Sequence, residues 1–407
     1  MQPLDLETWT RRRVALQRHL WQLLGRPAVE VSPSGQVRER LDWDGLIVEK
    51  IVFETEPGQS VPALLYLPTD CPPPWPAVAI SMGHGESKST PGPLLAGPLF
   101  ARLGIACLCA DPVGEEERNA TARQGSRAHD AADVSTRSRA VGRKVMGKMV
   151  WDLMMGLGYL ASRPDVDATR LGCAGVSLGG TVAGYLLALD ERLRMAIPSG
   201  WFFRPEDQAI GKDCSRIPAE QFLSLMTNGE LLGLAAPHCA VLIANGDADT
   251  VIDRDGGGMG AVRGLGVSLE QAQAIYQLYD GATSRIGTCL EPGGGHRHYY
   301  LSKPALLFAV THLAASGAAS SELTQMGERL FGDWADAHGV AIEPLYATDL
   351  HFRGLRLPDL PVRPLPPAYR HCLTADEIGS DRFTLEGWLR AAERGGSTHT
   401  DPGLSIQ

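Results

Sequence analysis

The fold of this chain is decided by the stretch Leu171-Gly172-Cys173-Ala174-Gly175-Val176-Ser177-Leu178-Gly179-Gly180. Its first four residues form a short apolar run, and the apolar pattern of Val182–Leu189 after it predicts a helix. Between them lies Gly-x-Ser-x-Gly, in which the glycines let the backbone turn sharply from a strand into a helix. The pattern therefore predicts that Ser177 is displayed at a tight turn as a nucleophile.

The composition favours a globular enzyme that acts on small substrates. The chain has 407 residues, of which 44% are hydrophobic, and this is enough to bury one large core. A net charge of −9, spread along the chain, argues against nucleic acid or an anionic membrane as a partner, because both select clustered Lys and Arg. The small-molecule substrate is therefore the main expected partner.

The sequence carries no pattern of a secretory signal or of a transmembrane span. The first residues lack a charged segment followed by an apolar core, and no run of about 18 apolar residues occurs. The eight cysteines include several in apolar runs and no Cys-x-x-Cys pair, which favours buried thiols over disulfides or a zinc knuckle. We therefore expect a cytoplasmic protein.

Strand-like apolar runs alternate with helical patterns through the middle of the chain. Runs without polar alternation are typical of a parallel sheet that is covered on both faces. Glycine and polar residues follow the runs, which places a site along the carboxyl edge of the sheet. We therefore predict a mostly parallel sheet with helices on both faces, preceded by an antiparallel hairpin at a sheet edge around Glu56-Pro57-Gly58. The predicted strands are 47–53, 61–67, 77–80, 105–110, 171–174, 193–198, 240–244 and 285–290.

The chain divides into three predicted parts. Residues 1–45 form an amino-terminal helical segment, because apolar residues recur at helical spacing from 5 to 25. Residues 46–318 form the catalytic domain, with a lid insertion over 200–236. Residues 319–407 form a carboxyl-terminal extension whose large apolar side chains must pack on the body or on a second copy. If the protein is a homo-oligomer, we expect the terminal segments to form the contacts.

A serine hydroxyl needs a neighbouring base, and that base needs a buried acid to hold its tautomer. The chain offers both in the order Ser177, Asp249, His296, with 72 residues (249 − 177) and then 47 residues (296 − 249) between them. This order is typical of the α/β-hydrolase fold. Each candidate lies just past a predicted strand. His298 is the alternative base, and Asp247 is the alternative acid.

The tetrahedral oxyanion of acyl transfer needs two backbone donors. One is the amide after the nucleophile, that of Leu178. We assign the second to the loop after the strand 77–80, at the amide of Glu86, with Gly85 as the alternative and His84 as a residue that shapes the loop. This chemistry needs no cofactor and no metal.

Several short motifs between Ile80 and Tyr300 resemble those of one known group of proteins. They are His84-Gly85 with Lys88, Asp111-Pro112-Val113-Gly114 ending in Arg118, Trp151-Asp152-Leu153, Arg163-Pro164-Asp165-Val166-Asp167 with Arg170, Gly175–Gly180, Leu189-Asp190-Glu191-Arg192 and Gly294-Gly295-His296. The chain resembles bacterial α/β-hydrolases of the acetyl xylan esterase and dienelactone hydrolase-like group. The resemblance implies hydrolysis of carboxylic esters through an acyl-enzyme, without a metal, and it does not extend beyond about residue 320.

The sequence therefore predicts a serine hydrolase that cleaves small or sugar-linked acyl esters. Two alternatives stay open. A peptidase or amide hydrolase uses the same triad, because the turn around the serine does not reveal the leaving group. A non-catalytic protein that binds ligands on the same fold is the other alternative, and the presence of all three triad residues argues against it.

Overall fold

The computed structural model describes residues 5–201, 221–222, 224–252, 259–279, 282–341 and 352–395. Its centre is a nine-stranded sheet, and a two-stranded sheet lies in the carboxyl-terminal part. The strands are β1 (Gly35–Trp43), β2 (Leu46–Glu56), β3 (Gln59–Leu67), β4 (Trp75–Ser81), β5 (Ala106–Ala110), β6 (Val166–Val176), β7 (Leu193–Ser199), β8 (Ala240–Gly246), β9 (Ile286–Glu291), β10 (Glu328–Leu330) and β11 (Arg356–Pro358). The helices are α1 (Leu6–Leu24), α2 (Pro91–Arg102), α3 (Ala132–Ala140), α4 (Val145–Ser162), α5 (Leu178–Leu189), α6 (Asn228–Gly233), α7 (Met259–Gln277), α8 (Lys303–His312), α9 (Ala318–Glu322), α10 (Phe331–His338) and α11 (Leu385–Gly395).

The large sheet has the strand order β1-β2-β3-β5-β4-β6-β7-β8-β9. The strands β1, β2, β3 and β5 pair antiparallel in that order. From β5 onward through β4, β6, β7, β8 and β9, every pairing is parallel. This order, with helices between the parallel strands, is that of the α/β-hydrolase fold, and the predicted fold class is confirmed.

Apolar side chains cover both faces of the sheet, as the unalternating runs predict. Alternate residues of β3 and β4 belong to two separate core clusters, because successive side chains point to opposite faces of a strand. Helices α1, α4 and α5 complete one cluster, and α2, α8 and α10 complete the other. The strands are therefore held in a three-layer arrangement, and their carboxyl ends stay available for a site.

The amino-terminal segment is not wholly helical, which corrects one prediction. Helix α1 begins after Asp5, whose Oδ1 accepts from the Thr8 amide at 2.7 Å, and ends at Gly25, where φ is +77°. Strand β1 then lies within the segment 1–45 and extends the sheet beyond the hairpin of β2 and β3. The hairpin is therefore not at the edge of the sheet. Its turn at residues 56–59 is where the sequence predicts it.

The carboxyl-terminal extension packs on the same chain. Phe331, Trp334 and Phe352 are fully buried in the cluster on one face of the sheet, and Trp388 is fully buried in the cluster on the other. The apolar side chains therefore cover the body as predicted, except Leu330, which is 41% exposed. The prolines of residues 355–367 predict no regular structure there. The structure nevertheless has strand β11 in this stretch, where it pairs with β10. Leu345 and Tyr346 also belong to the large apolar side chains of the extension, but they lie outside the described residues.

The thiols of the described cysteines are free, as the cysteine pattern predicts. Cys107 and Cys109 are alternate residues of β5, and their Sγ atoms are 4.0 Å apart. Among the described helices, none combines the length and the apolar character that a membrane span requires.

Candidate active site

Ser177 lies at the turn between β6 and α5, where the sequence predicts a nucleophile. Its backbone has φ +58° and ψ −117°, a conformation that costs a residue with a side chain of the order of 1–3 kcal/mol. The Ser177 amide donates to the carbonyl oxygen of Ser199 at the end of β7, with a distance of 2.9 Å. The turn is therefore fixed to the neighbouring strand, and the strained residue is held in place.

The glycines of the motif have a direct steric role. A Cβ atom on Gly175 would come within 2.6 Å of the Ser81 carbonyl oxygen at the end of β4. A Cβ atom on Gly179 would collide with the same oxygen. Because both positions lie against the backbone of β4, no residue with a side chain fits at position 175 or 179, two residues on either side of Ser177.

Asp249 and His296 are in direct contact. Oδ2 of Asp249 lies 2.7 Å from Nδ1 of His296, and the Asp249 carboxylate is fully buried. Its other oxygen, Oδ1, accepts from the amides of Val251 at 2.9 Å and Ile252 at 3.2 Å. The turn after β8 therefore holds the carboxylate in one orientation, and that orientation fixes the ring of His296.

The loop that carries His296 is anchored on both sides. The Ala248 amide donates to the Gly294 carbonyl oxygen at 2.9 Å, which joins the turn after β8 to the loop after β9. The Tyr299 hydroxyl donates to the Gly295 carbonyl oxygen at 2.9 Å, and burial raises the pKa of Tyr299, so this hydroxyl keeps its proton. Both bonds restrict the three-glycine loop just before His296.

The structure brings His296 to the strand end that fixes Ser177. The Cε1 atom of His296 lies against Gly200, where a Cβ atom would approach it to 2.8 Å. Gly200 directly follows Ser199, whose carbonyl oxygen accepts from the Ser177 amide. The imidazole edge of His296 and the backbone amide of Ser177 therefore lie at adjacent residues, Gly200 and Ser199, at the end of β7.

The two alternative residues have other contacts. Asp247 Oδ1 accepts from the Gly293 amide at 2.7 Å, so Asp247 joins the two loops. His298 is fully buried, with Nε2 3.2 Å from Glu86 Oε1 and its ring stacked on Phe352 at 4.7 Å between centroids. Each alternative thus occupies a position that supports the loops around Asp249 and His296.

The amide of Leu178, a predicted oxyanion donor, lies at the first residue of α5. The second predicted donor is wrong as assigned, because the Glu86 amide donates to the Gly83 carbonyl oxygen at 3.0 Å and closes a turn. The carboxylate of Glu86 instead folds back, and its Oε2 accepts from the Gly83 amide. Gly85, the alternative donor, sits inside this turn with φ +84°.

Charged residues that sequence reasoning did not place in the site hold the loops after β4 and β5 together. Nζ of Lys88 is fully buried and lies 2.6 Å from both Asp111 Oδ2 and Glu117 Oε2. Burial, together with the charges of Glu116 and Glu117, raises the pKa of Asp111 to about 8 against the opposing charge of Lys88. The Gly-Glu-Ser-Lys sequence at 85–88 gives no local signal of this cluster, because its acidic partners are distant in the chain.

A second polar group covers the other side of the His84 loop. Nε2 of His84 lies 2.7 Å from Asp130 Oδ2, and the His84 and His129 rings are 5.1 Å apart. Burial, together with the charge of nearby His84, lowers the pKa of His129 to about 4. Burial raises the pKa of Glu115, which lies behind His129, to about 7. The segment 115–130 therefore packs its polar side chains against the loop that follows β4.

The predicted lid over 200–236 falls largely on residues 202–220 and 223, which lie outside the described residues. Trp201 is described and buried, and its carbonyl oxygen accepts from Nδ2 of Asn245 at 2.6 Å. The chain therefore enters the predicted lid from a point that is fixed to the end of β8.

A wide cleft along the described residues does not contain Ser177, Asp249 or His296. Its volume is about 1380 Å³, and it is lined by α1, by residues 56–59 and 139–143, and by α11. This cleft and the three predicted catalytic residues therefore lie in different parts of the structure. We place the candidate site at the carboxyl edge of the sheet, where the turn of Ser177 and the contact between Asp249 and His296 lie.

The chain has relatives among hydrolases. No protein-family model matches it. The Bacillus subtilis (strain 168) protein YtaP, itself only provisionally named a hydrolase, is 28% identical over 162 residues. These are 37% of this chain and 52% of YtaP, so the chain spans about half the length of the curated relative it matches.

Solved structures with the same fold are esterases by name. Methylesterase BT1017 matches with a TM-score of 0.60 at 20% identity, over 85% of this chain and 70% of that one. The glucuronoyl esterase from Solibacter usitatus matches with a TM-score of 0.59 at 14% identity. The match covers 76% of this chain and 94% of that one. A Bacteroides fragilis NCTC 9343 protein, provisionally named an acetyl xylan esterase, matches with a TM-score of 0.55 at 17% identity. The match covers 71% of this chain and 77% of that one. At these identities the similarity establishes a shared α/β-hydrolase fold.

Proposed function

We propose that this chain is a serine hydrolase that cleaves carboxylic esters through an acyl-enzyme, with Ser177, Asp249 and His296 as its triad. The observation that carries the proposal is the 2.7 Å contact between Asp249 and His296, placed at the strand end that fixes Ser177. A buried acid, a base and a strained serine at the carboxyl edge of one sheet are the parts that acyl transfer needs.

The proposed reaction begins with proton transfer from the Ser177 hydroxyl to Nε2 of His296. The serine oxygen attacks the ester carbonyl carbon, and the C–O bond to the alcohol breaks when His296 returns the proton to the leaving oxygen. Water then attacks the acyl-serine with His296 again as base, which releases the acid and restores the serine. Asp249 accepts from Nδ1 of His296 throughout, so Nε2 faces the nucleophile as the basic nitrogen.

The oxyanion that forms in both steps is held by backbone donors. The Leu178 amide is the first, because it follows the nucleophile at the start of α5. The Glu86 amide is committed to Gly83, so we assign the second donor to Gly85. Its positive φ is a conformation that glycine adopts without strain.

The substrate class that we propose is a small or sugar-linked ester. The support is that similar structures are named as a methylesterase, a glucuronoyl esterase and, provisionally, an acetyl xylan esterase. The contact between Asp249 and His296 and the turn that carries Ser177 also support the proposal. A peptidase or amide hydrolase with the same triad is the alternative that the experiment below separates.

The test uses the full chain and p-nitrophenyl acetate, butyrate and octanoate, with p-nitroacetanilide as the amide. We expect turnover of the short esters, and labelling of Ser177 by a fluorophosphonate, located by mass spectrometry. Ser177→Ala should lose labelling and roughly three to six orders of magnitude of turnover, while Ser321→Ala, at an exposed serine of α9, keeps both. Preference for the anilide would assign an amidase. Absence of both turnover and labelling would favour the ligand-binding alternative.

A further inference from the structure

Two imidazoles and a carboxylate converge next to the loop after β4. His84 belongs to that loop, and His129 and Asp130 form the short turn before α3. One ligand atom of each residue lies within 4.8 Å of the ligand atoms of the other two. His129 and Asp130 are adjacent in the chain, but His84 precedes His129 by 45 positions (129 − 84), so no spacing motif reveals the group.

The surroundings favour a bound ion over a solvated surface cluster. His129 is fully buried, the Asp130 side chain is 7% exposed, and the His84 side chain is 26% exposed. The cluster is therefore closed on the protein side and open at His84, which leaves a direction for an ion to enter and for a water to occupy a fourth position.

A carboxylate lies behind the buried histidine. Oε1 of Glu115 is 3.6 Å from Nδ1 of His129, and the Glu115 side chain is fully buried. The amides of Ser126 and Arg127 donate to the Glu115 carboxylate at 2.9 and 2.8 Å, so its position is fixed by the backbone. A carboxylate that orients a histidine from behind is a common support of metal-binding imidazoles.

The donor set selects the kind of ion. Two imidazole nitrogens and one carboxylate oxygen suit Zn²⁺ and similar transition metals, whereas Ca²⁺ and Mg²⁺ prefer oxygen ligands alone. Ligands at about 2.0–2.2 Å from a tetrahedral ion are about 3.3 Å apart. The 2.7 Å contact between His84 and Asp130 must widen by about half an ångström and the longer separations must shorten, which side-chain rotation allows.

We infer that His84, His129 and Asp130 bind one divalent transition-metal ion of the zinc type. The ion joins the loop Gly83–Gly85 to the segment before α3 and so stiffens the loop that follows β4. Arg127, which packs against Gly85, adds a positive charge that the carboxylates of Asp130 and Glu115 offset. None of the three ligands is assigned a role in the proposed ester cleavage, and metal binding is measured without turnover.

The full chain is first stripped of metal with a chelator and dialysed. It is then titrated with Zn²⁺, followed by calorimetry, and with Co²⁺, followed by visible absorption. We expect one equivalent to bind, with the intense absorption of a four-coordinate Co²⁺ site. Asp130→Asn and His84→Ala should each weaken binding at least tenfold. His338→Ala is the matched control, because it removes a histidine that pairs with Asp359 at 2.9 Å without a second imidazole.

A measurement on the unmodified protein protects the test against variants that do not fold. X-ray absorption of the Zn²⁺-loaded chain should show nitrogen and oxygen ligands with the signature of two imidazoles. Sulfur ligands, or oxygen ligands alone, would place the ion elsewhere and overturn the inference. Binding weaker than about 1 mM, or equal affinity in wild type and folded Asp130→Asn, would overturn it as well. Fluorophosphonate labelling of Ser177 in the stripped protein reports separately on the proposed hydrolase.

Discussion

Oδ2 of Asp249 lies 2.7 Å from Nδ1 of His296, and this contact joins two loops that are 47 residues apart in the chain. The same carboxylate accepts two backbone amides, so it reaches His296 already oriented. A charge-assisted bond of this kind to Nδ1 leaves Nε2 as the basic nitrogen of the ring. The contact therefore decides which atom of His296 can serve Ser177.

The two histidines of this loop should differ sharply when each is replaced. His296→Ala removes the base and should lower kcat by roughly three to six orders of magnitude with a small change in melting temperature. His298→Ala removes a buried ring that stacks on Phe352, so we expect a loss of about 1–3 kcal/mol of stability and less than about a tenfold change in kcat. Steady-state kinetics and thermal unfolding of both variants check this. The reverse order of the two kcat values would move the base to His298.

Asparagine replacements separate the two aspartates after β8. Asp249→Asn keeps an oxygen for the amides of Val251 and Ile252 but turns an NH₂ group toward His296, which forces the wrong tautomer. We expect kcat to fall about 10⁴-fold. Asp247→Asn keeps the oxygen that accepts from Gly293 and should leave kcat within about threefold, since it preserves that bond. Equal losses in the two variants would contradict the assignment of Asp249 as the acid.

The strand ends and the turn around Ser177 could be predicted because their signals are local. Gly175–Gly180 encodes the turn around Ser177 in six residues, and unalternating apolar runs mark the buried strands. Strand β1 carries few apolar residues because it is a largely exposed edge strand, so its pattern was not distinguishable from a loop. The error at Glu86 has another cause: a hydrogen bond to Gly83 within a four-residue turn decides where that amide points. The partners of Lys88 come from distant loops, and no local pattern encodes them.

Acid should selectively weaken the contact between β2 and α4. Burial alone would raise the pKa of Glu56, but Lys148 and Arg143 lower it to about 2 through contacts of 2.9–3.0 Å. Between pH 2 and about 4.5 the unfolded chain therefore binds more protons at Glu56 than the folded chain does. Glu56 therefore contributes about 3 kcal/mol to the free energy of unfolding. This contribution is fully present above about pH 5 and is lost as the pH falls toward 2.

Urea unfolding of wild type and Glu56→Gln from pH 3 to pH 7 measures this contribution. The difference in the free energy of unfolding should be about 3 kcal/mol at pH 7 and should shrink steadily below about pH 4.5. Glu54→Gln is the matched control on the same strand, because its carboxylate accepts from the Gly58 amide at an exposed turn, and it should cost less than about 0.5 kcal/mol. A difference that does not change with pH would show that the loss at Glu56 is one of packing.

The carboxyl-terminal extension should stabilise the body at two distinct places. Phe352 and Trp388 are fully buried on opposite faces of the sheet, and Trp388 lies under Arg143, with 5.5 Å from the guanidinium carbon to the ring centre. Replacing either by alanine should cost about 3–5 kcal/mol of unfolding free energy. Tyr369→Ala, at a ring that is 42% exposed, should cost less than about 1 kcal/mol. Deletion of residues 319–407 should lower stability or solubility further.

Phe352 should also influence the site, whereas Trp388 should not. Phe352 stacks on His298, His298 contacts Glu86 Oε1, and Glu86 Oε2 accepts from the Gly83 amide, so a series of contacts links the extension to the loop after β4. We expect Phe352→Ala to lower kcat/KM by several-fold at a temperature where it is folded, and Trp388→Ala to leave kcat/KM unchanged. Equal kcat/KM in both folded variants would show that the extension only stabilises the body. If the chain without residues 319–407 keeps the melting temperature and substrate profile of the full chain, the extension does not stabilise the body.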